Sequence, residues 1–227
     1  MANVELKSTV TAIFAGGTGI LGEEGQRSGI FKNRSHVPVA VSAQGIAGDV
    51  QVDRRVHGGP EKAIHHFAAE SYKRLAQHFP DCEAELIPGA IGENLSTDGL
   101  TEWNVHIGDV FRIGTATVQV SQPRSPCWKI NHRFNIDDMS LVVAKERITG
   151  WYYRVLGEGV IAPGDVIELT DRTTDRFSID AFWRLQLTHR PDLEDLEALI
   201  AVPGLADGWK LRLTERLGWL RRRHATA

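Results

Sequence analysis

Apolar residues fall into short β-type stretches over most of the chain, and into stripes spaced three or four apart at its end. Val10-Thr-Ala-Ile-Phe14, Val37-Pro-Val-Ala-Val41, Ile46 to Val52, Val110-Phe-Arg-Ile113, Thr115 to Val120, Trp151 to Leu156 and Val166-Ile-Glu-Leu169 are rich in β-branched and aromatic residues. Gly and Asp turns bound them, which predicts strands. Val110 to Ile113, then Gly114-Thr115, then Ala116 to Val120 has the form of a hairpin with a Gly-led turn. Val105-His-Ile-Gly-Asp-Val-Phe111 and Ile161-Ala-Pro-Gly-Asp-Val-Ile167 echo one another, with Gly-Asp turning the chain just before a strand. Two helices interrupt this pattern. One starts at Pro60, carries Ile64, Phe67, Ala68, Tyr72, Leu75, Ala76 and Phe79, and stops at Pro80. The other is capped by Asp137 or Asp138, continues through Met139, Val142, Val143 and Ile148, and ends at Gly150.

Beyond Asp171 the period becomes helical. Ser178 is positioned to cap a helix over Ile179 to Leu187, and Asp192 one carrying Leu193, Leu196, Leu199 and Ile200. A third helix runs from Leu205 to Leu220, with Trp209, Leu213, Leu217 and Leu220 on one stripe. Helices this short need to pack together or on a partner. The expected fold is therefore α+β, mainly β with peripheral helices. A β-barrel spans residues 1–171, since closure hides strand edges, and a helical extension spans 172–227; an open sheet is the alternative.

Composition narrows the class. The chain has 227 residues, 42% of them apolar, with a net charge of −3, so it has ample material for a core and no basic excess suited to a nucleic-acid polymer. Two cysteines, Cys82 and Cys127, cannot build a disulfide framework and fit a reducing compartment. The N-terminal stretch lacks the pattern of a secretory signal, and no run approaches the ~20 apolar residues of a membrane span. A cytoplasmic location is expected. The basic end Arg221-Arg-Arg-His224 reads as a solvated tail, with an anionic partner as the alternative.

Ala15-Gly-Gly-Thr-Gly-Ile-Leu-Gly22 contains the spacing of a dinucleotide-binding fingerprint. That mechanism needs a helix at once, with its N-terminus toward the pyrophosphate. Glu23-Glu-Gly-Gln-Arg-Ser-Gly29 follows instead, without an apolar stripe and with two carboxylates, so the segment is read as a loop.

Three other stretches carry candidate chemistry. In His57-Gly-Gly-Pro-Glu-Lys-Ala63, Gly58 and Gly59 let backbone approach a ligand, and Lys62 lies where it can meet a phosphate. His57 reads as a structural hydrogen-bonder or a catalyst. His65 and His66, about 100° apart on the expected helix, are read as core or surface. In Gly92-Glu-Asn-Leu-Ser-Thr-Asp-Gly99, Asn94 can donate and accept at once, or simply make a turn. In Ser121-Gln-Pro-Arg-Ser-Pro-Cys127, two prolines stiffen the chain around a thiol, and Arg124 favours its thiolate or pairs an anion. Cys127 is thus a nucleophile, a soft-metal ligand or an inert buried residue; Cys82, beside two acids, has no assigned role.

Taken together, His57-Gly-Gly-Pro, Gly92-Glu-Asn-Leu-Ser-Thr-Asp-Gly-Leu-Thr-Glu, the Gly108-Asp-Val-Phe strand and Ser121-Gln-Pro-Arg-Ser-Pro-Cys resemble the MOSC domain, the C-terminal module of molybdenum-cofactor sulfurases. The likeness is to its YiiM-like branch, which carries a C-terminal three-helix extension, and it covers residues 28–170. The resemblance implies a β-barrel that binds a molybdopterin-type molybdenum cofactor. Cys127 would be the metal ligand and the catalytic residue, with His57, Gly58, Gly59, Lys62, Asn94, Arg124 and Ser125 toward the cofactor. It also implies a molybdenum-dependent oxidoreductase that reduces N-hydroxylated compounds such as hydroxylaminopurine bases, R–NHOH to R–NH2. The alternative is a carrier or storage protein for the cofactor. A thiol enzyme pairing Cys127 with His57 is a third class. The family's association with pyridoxal phosphate comes from the full-length sulfurases, and no Lys here marks a Schiff-base site. Two cysteines cannot hold an iron–sulfur cluster, so electrons would come from a separate flavin or iron–sulfur reductase. The other expected partner is a small N-hydroxylated substrate, with no nucleic-acid polymer, no membrane, and a homodimer left open.

Overall fold

The computed structural model describes residues 5–22, 25–52 and 58–224. Among them are strands β1 (Lys7–Thr9), β2 (Ala12–Ala15), β3 (Gly19–Leu21), β4 (Gln26–Ser28), β5 (Asn33–Ser35), β6 (Val39–Ser42), β7 (Gly45–Ile46), β8 (Ile64–Ala68), β9 (Leu95–Thr97), β10 (Val110–Ile113), β11 (Ala116–Pro123), β12 (Trp151–Gly157), β13 (Gly159–Ile161) and β14 (Val166–Asp171). The helices are α1 (Ala69–His78), α2 (Lys129–Phe134), α3 (Met139–Lys145), α4 (Ile179–Leu187), α5 (Leu193–Ile200) and α6 (Asp207–His224). No helix among the described residues is long and apolar enough to cross a membrane.

Nine strands form one sheet in the order β1-β14-β10-β11-β12-β8-β9-β2-β5, curled into a half-barrel. The expected hairpin is present: Ile113 pairs with Ala116 across the turn at Gly114, which has a positive φ. The Gly-Asp echo has one physical cause. Asp109 accepts from the His106 N–H at 2.9 Å and Asp165 from the Ala162 N–H at 2.7 Å, so each aspartate closes its own turn.

The helix predicted from Pro60 is divided by the structure. Pro60–Lys62 makes one 3₁₀ turn, Ile64–Ala68 is a strand, and only Ala69–His78 is helical. Burial decides this: all five residues of β8 are buried, because the strand runs between β12 (antiparallel) and β9 (parallel) and is covered on both faces. A second correction concerns Ile46 to Val52, where only Gly45–Ile46 is strand; Gly48 turns at φ +79° and the residues after it leave the sheet. The helix expected to reach Gly150 ends at Lys145, and Lys129–Phe134 is a helix that the apolar spacing did not announce. The glycine-rich segment after β2 holds no helix at its start: Gly16 and Gly17 both have positive φ, and the chain proceeds to β3, which pairs with β4.

Two cores flank the sheet. One gathers Ile13, Ile64, Phe111, Val118, Val120, Trp151 and Tyr153 with Phe182, Trp183, Leu196, Trp209 and Leu213 of the C-terminal helices. These helices therefore complete the barrel's own core. Ser178 caps α4 by accepting the Ala181 N–H at 3.1 Å, and Asp192 caps α5, as expected. Asp180, 2% exposed, ties α4 to the loop before β12 through Arg147 at 2.6 Å. The second core lies under the β8–α1–β9 crossover, where Phe67, Tyr72, Leu75 and Ile91 meet Ile130, Phe134, Met139 and Val143 of α2 and α3.

Candidate functional site

Strand alternation sets out the site. Along β8, Ile64 enters one core and Phe67 the other, so His65, on the Phe67 side, faces away from the barrel interior. Its register partner on β12 is Tyr152, and the two rings lie 5.2 Å apart. The β11–β12 register shifts between Val120 and Gln122, a bulge that redirects the chain where it leaves the sheet at Pro123. The next residue, Arg124, donates its N–H to the Gly150 carbonyl at 3.0 Å. Cys127 follows, half-buried, just before α2, and its carbonyl accepts the Ile130 N–H at 3.0 Å.

His65, Arg124, Cys127 and Tyr152 wall a cleft that opens to solvent, together with residues drawn from segments 28–32, 49–52 and 91–94. Of the expected site residues, Lys62, Asn94, Arg124 and Cys127 line it. Gly58 and Gly59 do not, and the helix N-terminus expected there is a single 3₁₀ turn closed by Lys62 N–H on the Gly59 carbonyl. Ser125 is exposed and lies outside the lining. His57 falls outside the described residues.

Among the described residues, four cations and one carboxylate line the cleft: Lys32, Lys62, Arg124 and Lys129 against Asp49. Lys32 ion-pairs with Asp49, and both side chains are almost fully buried. Asn94 holds this pair in place. Its Oδ1 accepts the His65 N–H at 2.9 Å, while its Nδ2 donates to the Phe14 carbonyl at 3.1 Å and to Asp49 Oδ2 at 3.0 Å. The amide is thus spent on the protein, and Asn94 shapes the cleft rather than reaching across it. Burial lowers the pKa of Lys62, with the nearby Arg212 charge acting in the same direction.

Burial holds the His65 imidazole well below its usual pKa, with the Arg124 charge adding to the effect, so the ring is neutral. Among the described residues, two buried lining atoms have no hydrogen-bond partner: His65 Nε2 and Arg124 Nη1. Burial raises the pKa of the Tyr152 hydroxyl, and the nearby Arg124 charge partly offsets this. Two buried glutamates stand behind the cleft. Glu93 accepts from Tyr72 at 2.7 Å and from the Gly89 N–H at 2.6 Å, and Glu102 accepts the Gly150 N–H at 2.8 Å; burial pushes both up to about 7.

Sequence reasoning missed Lys32, Asp49, His65 and Tyr152. Gly48-Asp49 was a legible signal, the same dipeptide as in the two echoed turns. Here the aspartate does not close its own turn; it accepts from Gly16 N–H at 3.2 Å, Lys32 and Asn94. His65 was hidden by the helix expected over its strand.

The fold and the cleft together define the class: a curled mixed sheet whose described cleft lining is mainly cationic and includes a half-buried thiol. Comparison with known proteins narrows this to a family. The MOSC domain model matches residues 53–168. Protein YiiM of Escherichia coli (strain K12) is 37% identical over 196 residues, which cover 85% of this chain and 86% of that one. The crystal structure of YiiM from Geobacillus stearothermophilus superposes with a TM-score of 0.78 at 30% identity, covering 92% of this chain and 99% of that one. A Gibberella moniliformis protein named Reductase is 37% identical over 160 residues, which cover 67% of this chain and 27% of that protein. The chain belongs to the MOSC domain family, on its YiiM-like branch.

Proposed function

We propose that this protein binds a molybdenum cofactor through Cys127 and reduces N-hydroxylated compounds: R–NHOH plus two electrons and two protons gives R–NH2 and water. The observation that carries the reading is the half-buried Cys127 at a cleft whose described lining residues include four cations and one carboxylate. Among the described residues no group of three or more His, Cys, Asp or Glu side chains could cage a bare metal ion. That chemistry suits a metal arriving with its own organic ligands and needing one protein thiolate. The residues fit such a group. Lys62 and Lys129 with Arg124 supply positive lining for a phosphate-bearing pterin, and Cys127 supplies sulfur. When bound, the cofactor supplies the two-electron removal of oxygen. The chain's own residues bind, orient and shield. The Lys32–Asp49–Asn94 lattice fixes one wall, and the neutral His65 and Tyr152 form the buried floor. The family of the fungal relative named Reductase is consistent with this direction of chemistry.

Metal and pterin analysis of protein from a molybdenum-sufficient host should give about one Mo per chain, and Cys127→Ala should lose it. Retention of the metal in that variant removes the ligand assignment. Reduced viologen should then drive amine formation from a hydroxylaminopurine; full loading without turnover supports the carrier reading instead.

A further inference from the structure

A single glycine ties the C-terminal helices to the arm that carries Cys127. Beyond the last β11–β12 register pair, Pro123 with Trp151, the chain runs through Arg124, Ser125 and Pro126 to the thiol. Pro123 and Pro126 have no N–H, so this arm has few backbone donors by which to be held. Arg124 supplies one, and the Gly150 carbonyl accepts it at 3.0 Å. Gly150 sits at a φ of +67°, and a Cβ there would lie 2.2 Å from the His66 carbonyl, so the position suits glycine alone.

Gly150 is itself held from α4 by two routes. Trp183 on α4 is 6% exposed, and its indole N–H donates to the Thr149 hydroxyl at 2.8 Å. An indole N–H can only donate, so the hydroxyl oxygen accepts, and its own hydrogen is left for the Gly150 carbonyl 3.0 Å away. That carbonyl therefore accepts from Thr149 and Arg124 together. On the other side of the residue, the Gly150 N–H donates to Glu102 Oε1 at 2.8 Å, and the Glu102 carbonyl accepts the Asp180 N–H of α4 at 2.7 Å. Trp183, Thr149, Gly150 and Glu102 are all buried, away from competing water, where linked hydrogen bonds polarise one another. These four stand outside the cleft lining, whereas Arg124 and Cys127 belong to it.

We propose that Trp183 and Thr149 are positioning residues for the Cys127 arm: the line from the Trp183 N–H through the Thr149 hydroxyl to the Gly150 carbonyl fixes the Arg124 peptide, and with it the place of the thiol among the cations of the cleft. The helical segment beyond residue 172 thus sets the chemistry of the cleft as well as completing the core. The proposal rests on the functional reading above only in taking Cys127 as the working residue of the cleft.

The test uses the full chain from a molybdenum-depleted host, so that the thiol is open to reagents. Trp183→Phe keeps an aromatic ring without the N–H, Thr149→Val keeps the volume without the hydroxyl, and Thr149→Ser keeps the hydroxyl. Amide hydrogen exchange compares the opening of the Arg124 N–H with that of Val120, which is bonded to the Asp109 carbonyl earlier on β11. Peptide mass spectrometry at low salt gives the rates at which iodoacetate and iodoacetamide alkylate Cys127, and their ratio reports the positive potential at the sulfur. In Trp183→Phe and in Thr149→Val, Arg124 exchange should rise about fivefold more than Val120 exchange, the loss of one hydrogen bond, and the reagent ratio should fall. Thr149→Ser should match the unmodified protein in both. The double variant should differ from Thr149→Val by less than about twofold, because the indole acts through the hydroxyl. Equal acceleration at Arg124 and Val120, which is plain destabilisation, overturns the proposal. So does an unchanged reagent ratio, a Thr149→Ser that behaves like Thr149→Val, or effects that multiply in the double variant. Should Trp183→Phe fail to fold, the two Thr149 variants decide the question by the same measurements. Neither measurement needs a metal, so a failed molybdenum analysis counts against the proposed reaction alone.

Discussion

Glu102 is fully buried behind the cleft, with the Gly150 N–H on Oε1 at 2.8 Å and the Ser71 hydroxyl on Oε2 at 3.3 Å. Burial outweighs these bonds and raises its pKa from 4.5 to about 7. Below pH 4.5 the carboxyl is protonated in the folded and unfolded chains alike, and its full contribution to stability is present. As pH rises toward 7 the unfolded chain ionises first, unfolding releases a proton, and that contribution is lost. The gap from 4.5 to about 7 corresponds to about 3 kcal/mol. Glu102→Gln is the matching perturbation. Its amide oxygen can keep the Gly150 N–H and its NH2 can donate to Ser71, so it mimics the protonated acid at every pH. Urea unfolding of both proteins at pH 4.5, 6, 7 and 8 measures the difference. The variant should match the unmodified protein at pH 4.5 and exceed it by about 3 kcal/mol at pH 8. Glu93, also raised to about 7, and the lowered His65 and His66 shape both curves and cancel in the difference. A difference that stays constant with pH refutes the reasoning, since it means that Glu102 is ionised in the folded protein.

Other perturbations probe the rest of the frame. Gly150→Ala forces a Cβ to 2.2 Å from the His66 carbonyl at a φ of +67°, so it should destabilise by about 3 kcal/mol or more in the same urea assay. Asp49→Ala leaves Lys32 buried without its counter-ion and should cost about 3–5 kcal/mol; adding Lys32→Met should recover much of that loss. Truncation after Arg172 removes Phe182, Trp183, Leu196, Trp209 and Leu213 from the shared core. At about 1.5–3 kcal/mol for each such side chain, that exceeds most of a typical net stability, so residues 1–172 should show no cooperative unfolding transition by circular dichroism.

Several parts of this protein follow from local residue chemistry. The hairpin at Gly114, the caps Ser178 and Asp192, the Gly-Asp turns and the helical period of the C-terminal segment each depend on neighbours within a few residues, and each is legible in the chain. The stiff Ser121 to Cys127 stretch and Lys62 are legible for the same reason: prolines and a thiol advertise themselves, and both residues line the cleft. What long-range pairing decided could not be read locally. Ile64 to Ala68 carries an apolar spacing that a helix would also satisfy, and it is strand because β12 and β9 cover it on both sides. That choice turns His65 toward Arg124 and Tyr152 instead of onto a helix surface. Lys32, Asp49 and Asn94 lie 17 and 45 residues apart in the chain and meet only when the sheet curls, since ion pairing and amide bonding act over a few ångströms of space and leave no periodic trace in sequence.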